Sequence, residues 1–249
     1  MSERTNQAAR LLLEARRTGK PIIGLPDDCT PRNLDESYAI QHAVIAELAA
    51  HIAGYKLSIF PDGAIAVAPI LAELIVGDGA NKTLAPASRI GIELEFGFRF
   101  GVPVATEATT EHILDAVESM VVMIELCDTR YGTIDGKSKE LLVADMISNL
   151  GVVAGTAHRF DRTREFKTAT CRQSFDGKVQ TERTGSHPNG DPLMPLSLVP
   201  KALATAGYAL GGGQFVITGS LTGISWVNAP LTVVGEIDGF GSASVKLIP

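Results

Sequence analysis

The chain has 249 residues, 45% of them hydrophobic and 20% charged, with a formal net charge of −6. That length can bury one large core, and an acidic balance with no basic stripe excludes a general binder of nucleic acid or anionic membrane. No apolar run reaches the roughly 18 residues of a membrane helix. Three cysteines (Cys29, Cys127, Cys171) without CxxC spacing, and an N-terminus lacking a basic-then-apolar pattern, predict a reduced, cytoplasmic protein.

Ala8, Leu11, Leu12 and Ala15 recur at helical spacing, and Gly19 with Pro21 ends that segment, so a first helix is expected there. After a loop carrying Pro26, Asp27, Asp28 and Pro31, Asp35 is expected to cap a second helix. Its stripe of Ala39, Ile40, Val44, Ile45, Leu48 and Ile52 runs to about residue 52, and Gly54 is read as its end. From Tyr55 onward the pattern predicts strands near 55–59, 91–100, 120–127, 151–156, 214–219, 231–236 and 243–248. Shorter helices are predicted near 110–118 and 195–206, the latter opened by Pro195 and ended by Gly207. Pro61 to Pro69 reads as a loop, and the polar stretch 160–192 as a hairpin turning at Asp176-Gly177 or a mobile flap. Both are expected to border the site. The order of elements predicts α+β, with N-terminal helices packed on a β-rich core. A single domain, 1–249, is expected, with 1–54 as its helical part and 55–249 as its catalytic core.

The informative feature is carboxylates in apolar strands. Ile92-Glu93-Leu94-Glu95-Phe96 alternates, so Glu93 and Glu95 leave the same face of one strand. Val121-Val122-Met123-Ile124-Glu125-Leu126 places a third carboxylate in another apolar run. Burying uncompensated carboxylates costs several kcal/mol each, and a hard divalent cation with oxygen ligands is one compensation. The alternative puts Glu93 and Glu95 on a wet edge and pairs Glu125 with an arginine. Lys56, in Gly54-Tyr55-Lys56-Leu57, either snorkels to water or works as an amine beside a metal-bound anion. Thr218-Gly219-Ser220-Leu221 offers a strand end where a ligand can approach the backbone and the Ser220 hydroxyl. No His-Glu-x-x-His, Walker loop or Gly-x-Ser-x-Gly occurs. The five histidines, His187 among them, lack metal-ligand spacing and read as surface or core residues.

Seven segments in order resemble the fumarylacetoacetate hydrolase superfamily, in its hydratase/decarboxylase branch. They are Ser37-Tyr38-Ala39-Ile40-Gln41, Gly54-Tyr55-Lys56-Leu57, Ile92-Glu93-Leu94-Glu95-Phe96, Ile124 through Arg130, Asp145 through Gly155, Thr218 through Leu221, and Gly239 through Val245. The resemblance implies that Glu93, Glu95 and Glu125 hold one Mg²⁺ or Mn²⁺, that Lys56 moves protons at the substrate, and that Gly219 and Ser220 line the substrate pocket. It implies a homo-oligomer and a hydratase of the 2-oxopent-4-enoate type. Such an enzyme adds water to a 2-hydroxy-2,4-dienoate in aromatic meta-cleavage catabolism and yields a 4-hydroxy-2-oxo acid. A 4-oxalocrotonate-type decarboxylase on the same metal site is the alternative activity. A non-catalytic oxo-acid-binding relative or supporting subunit is the alternative of another class. Three positions depart from the family pattern. Ser58 replaces a common glycine, Ile70 stands where hydratases carry an acidic segment after the proline, and Met146 replaces a common asparagine.

Overall fold

A computed structural model describes residues 2–84 and 89–249. The helical start comprises α1 (Glu3–Thr18) and α2 (Leu34–Leu48). Strands β1 (Ile52–Ile59), β2 (Ile65–Leu71), β3 (Ile75–Gly77), β4 (Ala80–Thr83) and β5 (Arg89–Phe100) follow. Next come α3 (Thr110–Asp115), β6 (Val117–Cys127), α4 (Lys139–Ala144), β7 (Asn149–Arg159), β8 (Thr170–Phe175), β9 (Lys178–Thr184) and α5 (Val199–Thr205). The chain closes with β10 (Phe215–Ile217), β11 (Ser225–Asn228), β12 (Leu231–Ile237) and β13 (Gly241–Ile248).

The N-terminal helices form for local reasons. The Ser2 hydroxyl accepts from the Thr5 N–H, Ala8, Ala9, Leu12 and Ala15 bury one stripe, and Gly19 ends α1 in the left-handed conformation. The α2 cap is Asn33, whose side chain accepts from the Glu36 N–H at 2.9 Å, instead of Asp35. Ala49 stops α2 three residues before Ile52, so Ile52 and Gly54 belong to β1 and not to the helix. Glycine is needed at 54 because a Cβ there would collide with the Phe215 carbonyl of the neighbouring strand.

Two sheets carry the rest. The larger has the order β2-β1-β10-β5-β6-β7-β3, with β11 paired to the free edge of β5; the smaller has the order β4-β13-β12-β8-β9. One face of the large sheet (Ile92, Leu94, Phe96, Ile124) packs on the smaller sheet through Val233, Ala243 and Val245. The large sheet also coils: β2 touches β7 although four strands separate them in the order. Its second face is therefore concave, with Ile70, Met123, Val152 and Ile217 packed together inside. α1, α2 and α4 cover that concavity through a separate cluster that includes Ala68, Ala144 and Met146.

The Pro61–Pro69 segment is not all loop, because Ile65–Leu71 is a strand and Pro69 lies within it, opposite Tyr55. Proline is tolerated because β2 is an edge strand of its sheet. In 160–192 the hairpin reading holds: Phe175 pairs with Lys178 across Asp176-Gly177, both at positive φ, a two-residue turn that suits strand twist.

Candidate metal centre

Strand register brings Glu93 and Glu125 together and leaves Glu95 alongside, outside the group whose ligand atoms converge. Glu93 and Glu125 lie directly opposite one another on antiparallel β5 and β6, and Glu95 stands two pairs along, opposite Met123. Alternation then sends all three side chains to the concave face, while Ile92, Leu94, Ile124 and Leu126 enter the core on the other. Cys127 shares the face of Glu125. Ligand atoms of Glu93, Glu125 and Cys127 lie within 4.8 Å of one another, and the Cys127 thiol donates to Glu93 Oε2 at 3.3 Å. Glu95 Oε2 accepts from the Gly219 N–H at 2.8 Å.

Lys56 belongs to this cluster. Its strand is three positions from β6, a separation of about 14 Å in a flat sheet. The coil of the sheet nevertheless brings Nζ to 2.6 and 2.8 Å from the two oxygens of Glu125. A third bond, at 3.1 Å, goes to the Ile147 carbonyl. All three ammonium hydrogens are thus engaged. Lys56 is 6% exposed and Glu125 0%, which removes the snorkelling reading. Glu125 is paired with a lysine and an amide, not with an arginine: Asn149 Nδ2 donates to its Oε1 at 2.7 Å.

The Ile147 carbonyl is delivered by unusual backbone. Met146, Ile147 and Ser148 all have positive φ (53°, 49° and 60°), a left-handed turn of three non-glycine residues. Such turns cost roughly 1–2 kcal/mol per residue, and asparagine tolerates them better than methionine, so the Met146 departure adds strain beside the site. A buried brace holds the turn. Asp145 Oδ2 accepts from Thr129 Oγ1 at 3.0 Å and the Arg130 N–H at 2.9 Å, and its Oδ1 pairs with Arg130 Nε. Arg130 Nη2 also donates to the Asp145 carbonyl at 2.9 Å.

Fully ionised, three carboxylates and one ammonium would carry an excess of two negative charges in a pocket where Glu95 and Glu125 are buried. Burial, then Glu125, pushes the Glu93 carboxyl above its ordinary value; burial, Glu125 and Glu93 push Glu95 well above it. Burial alone would lower the Lys56 amine, but the carboxylates, chiefly Glu125, outweigh it and the net shift is upward. A divalent cation fits this donor set. It cancels the excess charge, and the Glu93–Glu125 pair already converges within ligand reach.

The rest of the surroundings are apolar or backbone. Gly219 has φ 138°, and a Cβ there would sit 2.9 Å from Pro188 Cγ, so only glycine brings this N–H to Glu95. The Ser220 hydroxyl closes its own turn on the Gly223 carbonyl at 3.2 Å. Ser58 is half-buried opposite Ala66. Ile70 presents no carboxylate; it packs against Met123, Val152 and Ile217. Sequence reasoning missed Cys127, Asn149 and His187. His187 is buried beside Gly219, its Nδ1 accepting from the Asn189 N–H at 3.3 Å, and its Nε2 has no hydrogen-bond partner in good geometry. Burial holds this imidazole down to about 4, so it is neutral at neutral pH. No spacing in the sequence ties His187 to Gly219, so its place there had no signal.

No family model matches the chain. It is 25% identical over 256 residues to a 2-keto-4-pentenoate hydratase of Paraburkholderia xenovorans (strain LB400), covering 98% of this chain and 95% of the relative. It is 25% identical over 175 residues to a 4-oxalocrotonate decarboxylase of Pseudomonas sp, covering 70% of this chain and 67% of that one. Among solved structures, 4-oxalocrotonate decarboxylase from Pseudomonas putida G7, complexed with magnesium and adipate, matches with TM-score 0.89 at 18% identity, over 99% of this chain and 98% of that one. Fumarylpyruvate hydrolase from Pseudomonas aeruginosa, in complex with Mn²⁺ and pyruvate, matches with TM-score 0.60 at 14% identity, over 78% and 88%.

Proposed function

We propose that this chain, which belongs to the hydratase/decarboxylase branch of the fumarylacetoacetate hydrolase superfamily, is a divalent-metal-dependent hydro-lyase. It adds water to a 2-hydroxy-2,4-dienoate of the 2-oxopent-4-enoate type and gives a 4-hydroxy-2-oxo acid. The observation that carries this reading is the pairing of half-buried Glu93 with buried Glu125, with Lys56 clamped on Glu125 and Glu95 beside it. Full-length similarity to several 2-keto-4-pentenoate hydratases supports it. The whole chain acts as one domain in which the N-terminal helices roof the catalytic sheet.

Glu93, Glu95 and Glu125 would hold Mg²⁺ or Mn²⁺, with Glu93 and Glu125 already within ligand reach of one another. When bound, the ion would supply Lewis acidity to the oxo acid. The chain's own groups do the rest. Lys56 remains protonated, so its part is to donate a hydrogen bond to the developing negative charge at the 2-oxygen. In the structure its three hydrogens are taken. With Glu125 holding a cation, at least one of these hydrogens would be free for the substrate. Asn149 keeps Glu125 oriented meanwhile. The Gly219 N–H holds Glu95 in place, and Ile70, Met123 and Val152 exclude water from one side.

Decarboxylation of a 4-oxalocrotonate-type acid is the second reading, favoured by one observation. The wall at Ile70 carries no proton-transferring acid, and loss of CO₂ needs only the electron sink. Incubation with Mg²⁺ and 2-hydroxypenta-2,4-dienoate, following loss of conjugated absorbance, tests the first reading. Parallel incubation with 4-oxalocrotonate and detection of CO₂ tests the second. Neither substrate turning over overturns both.

Aromatic catabolism, a cytoplasmic setting and a homo-oligomer complete the proposal. Three free thiols and the lack of a long apolar helix among the described residues support the setting. Exposed Leu48 on α2 and Ile23 beyond α1 support an assembly through the helical roof. Sedimentation as a monomer at micromolar concentration would contradict it.

A further inference from the structure

The C-terminal end of α1 and the loop after β6 enclose a cavity of about 310 Å³ whose wall includes Arg16, Arg89, Arg130 and Asp128. Three arginines and one aspartate line it, and Asp145, the ion-pair partner of Arg130, is not among the lining residues. Arg16 Nη2 donates to the Asn149 carbonyl at 3.3 Å, and Arg130 Nη1 approaches the same oxygen at 3.5 Å. Arg16 therefore shares this neutral acceptor with Arg130, whose charge is already paired with Asp145. Arg16 Nη1 is sealed from solvent with no hydrogen-bond partner. Burial first, then Arg130, hold the Arg16 guanidinium down to about 10, against the upward pull of Asp145, Asp128 and Glu73. The third cation, Arg89, is exposed at the start of β5 and set over the Trp226 ring at 5.7 Å. Gly19, Pro21 and Gly132 contribute little side chain, so the space beside the cations stays open.

This wall is not the metal centre. Asn149 separates the two: its carbonyl takes the arginines, while its side-chain amide donates to Glu125. Guanidinium forks match anions that offer two oxygens in one plane or on one face. From the lining, the open volume and the unsatisfied arginine, we infer that this cavity binds a small oxyanion, a carboxylate or a phosphate, on Arg16 and Arg130, with Arg89 as the third contact.

The test uses the full chain loaded with Mg²⁺. Sodium phosphate and sodium succinate are titrated separately, each against sodium chloride at equal ionic strength, and the melting temperature is followed. The expected result is a saturable rise with at least one oxyanion and none with chloride, and the anion with the lower half-saturation identifies the class. Arg16→Gln should weaken that anion at least tenfold, while Arg10→Gln, on the exposed face of α1, should leave it unchanged. Should Arg16→Gln not fold, Arg89→Gln at the exposed strand start should weaken it at least threefold. A rise that chloride reproduces, or an affinity unchanged in both the Arg16 and Arg89 variants, overturns the inference.

Discussion

Removing the Lys56 charge probes the centre of the site most sharply. Lys56→Met keeps the aliphatic stem but leaves Glu125, 0% exposed, with only Asn149 Nδ2 as a side-chain partner. Breaking a buried ion pair from one side costs about 3–5 kcal/mol, because the remaining charge is stranded. For a chain of this size each kcal/mol moves the melting temperature by about 2–4 °C. In EDTA the variant should therefore melt roughly 6–20 °C below the wild type. Added Mg²⁺ should recover more of that loss in the variant than it adds to the wild type, since a cation at Glu125 supplies the missing charge. In the dienoate assay kcat should fall by about 10²-fold or more with KM changed little, the pattern of a contact made chiefly in the transition state. A drop in EDTA of less than about 3 °C would refute the reasoning, because Glu125 would then not depend on Lys56.

Gly219→Ala should cost about 1–3 kcal/mol in denaturant unfolding, because φ is 138° and the new Cβ meets Pro188; a neutral result would detach Glu95 from this turn. The pH dependence separates metal-linked groups from others. Glu93 and Glu95 are raised in the folded state, so their contribution to stability is present at acid pH and is lost as pH rises through their elevated values. His187 is lowered to about 4, so its contribution is present above its ordinary value and is lost as pH falls toward 4. Melting curves taken in EDTA and in Mg²⁺ should thus diverge increasingly as pH rises, while the His187 effect cancels in the difference. A metal increment that stays flat with pH would contradict the carboxylate assignment. The apolar wall of Ile70, Met123, Val152 and Ile217 should favour a monocarboxylic inhibitor over its dicarboxylic counterpart, and the reverse order would count against that wall as part of the pocket.

Much of this was legible because period and register are local. Alternation alone placed Glu93 and Glu95 on one face, and the apolar run around Glu125 marked its strand. Strand pairing was not legible: that Glu125 opposes Glu93 follows from the β5–β6 register, and that Lys56 reaches it follows from the coiling of the sheet. β2 was hidden by Pro69, whose tolerance depends on being at a sheet edge. Asp35 and Asn33 are comparable caps by composition, and only the chain path selects Asn33. The left-handed turn at Met146–Ser148 had no signal, since none of its residues favours that conformation and tertiary bonds impose it.

The central question is whether one divalent ion at the three glutamates drives turnover of the dienoate. Mn²⁺ can be titrated into metal-free protein while bound ion is counted by electron paramagnetic resonance and the rate with 2-hydroxypenta-2,4-dienoate is measured in the same samples. The prediction is one ion per chain, with rate and occupancy rising together, and both lost in Glu125→Gln, whose fold survives. Turnover that persists without metal, or full Mn²⁺ occupancy in Glu125→Gln, would contradict it.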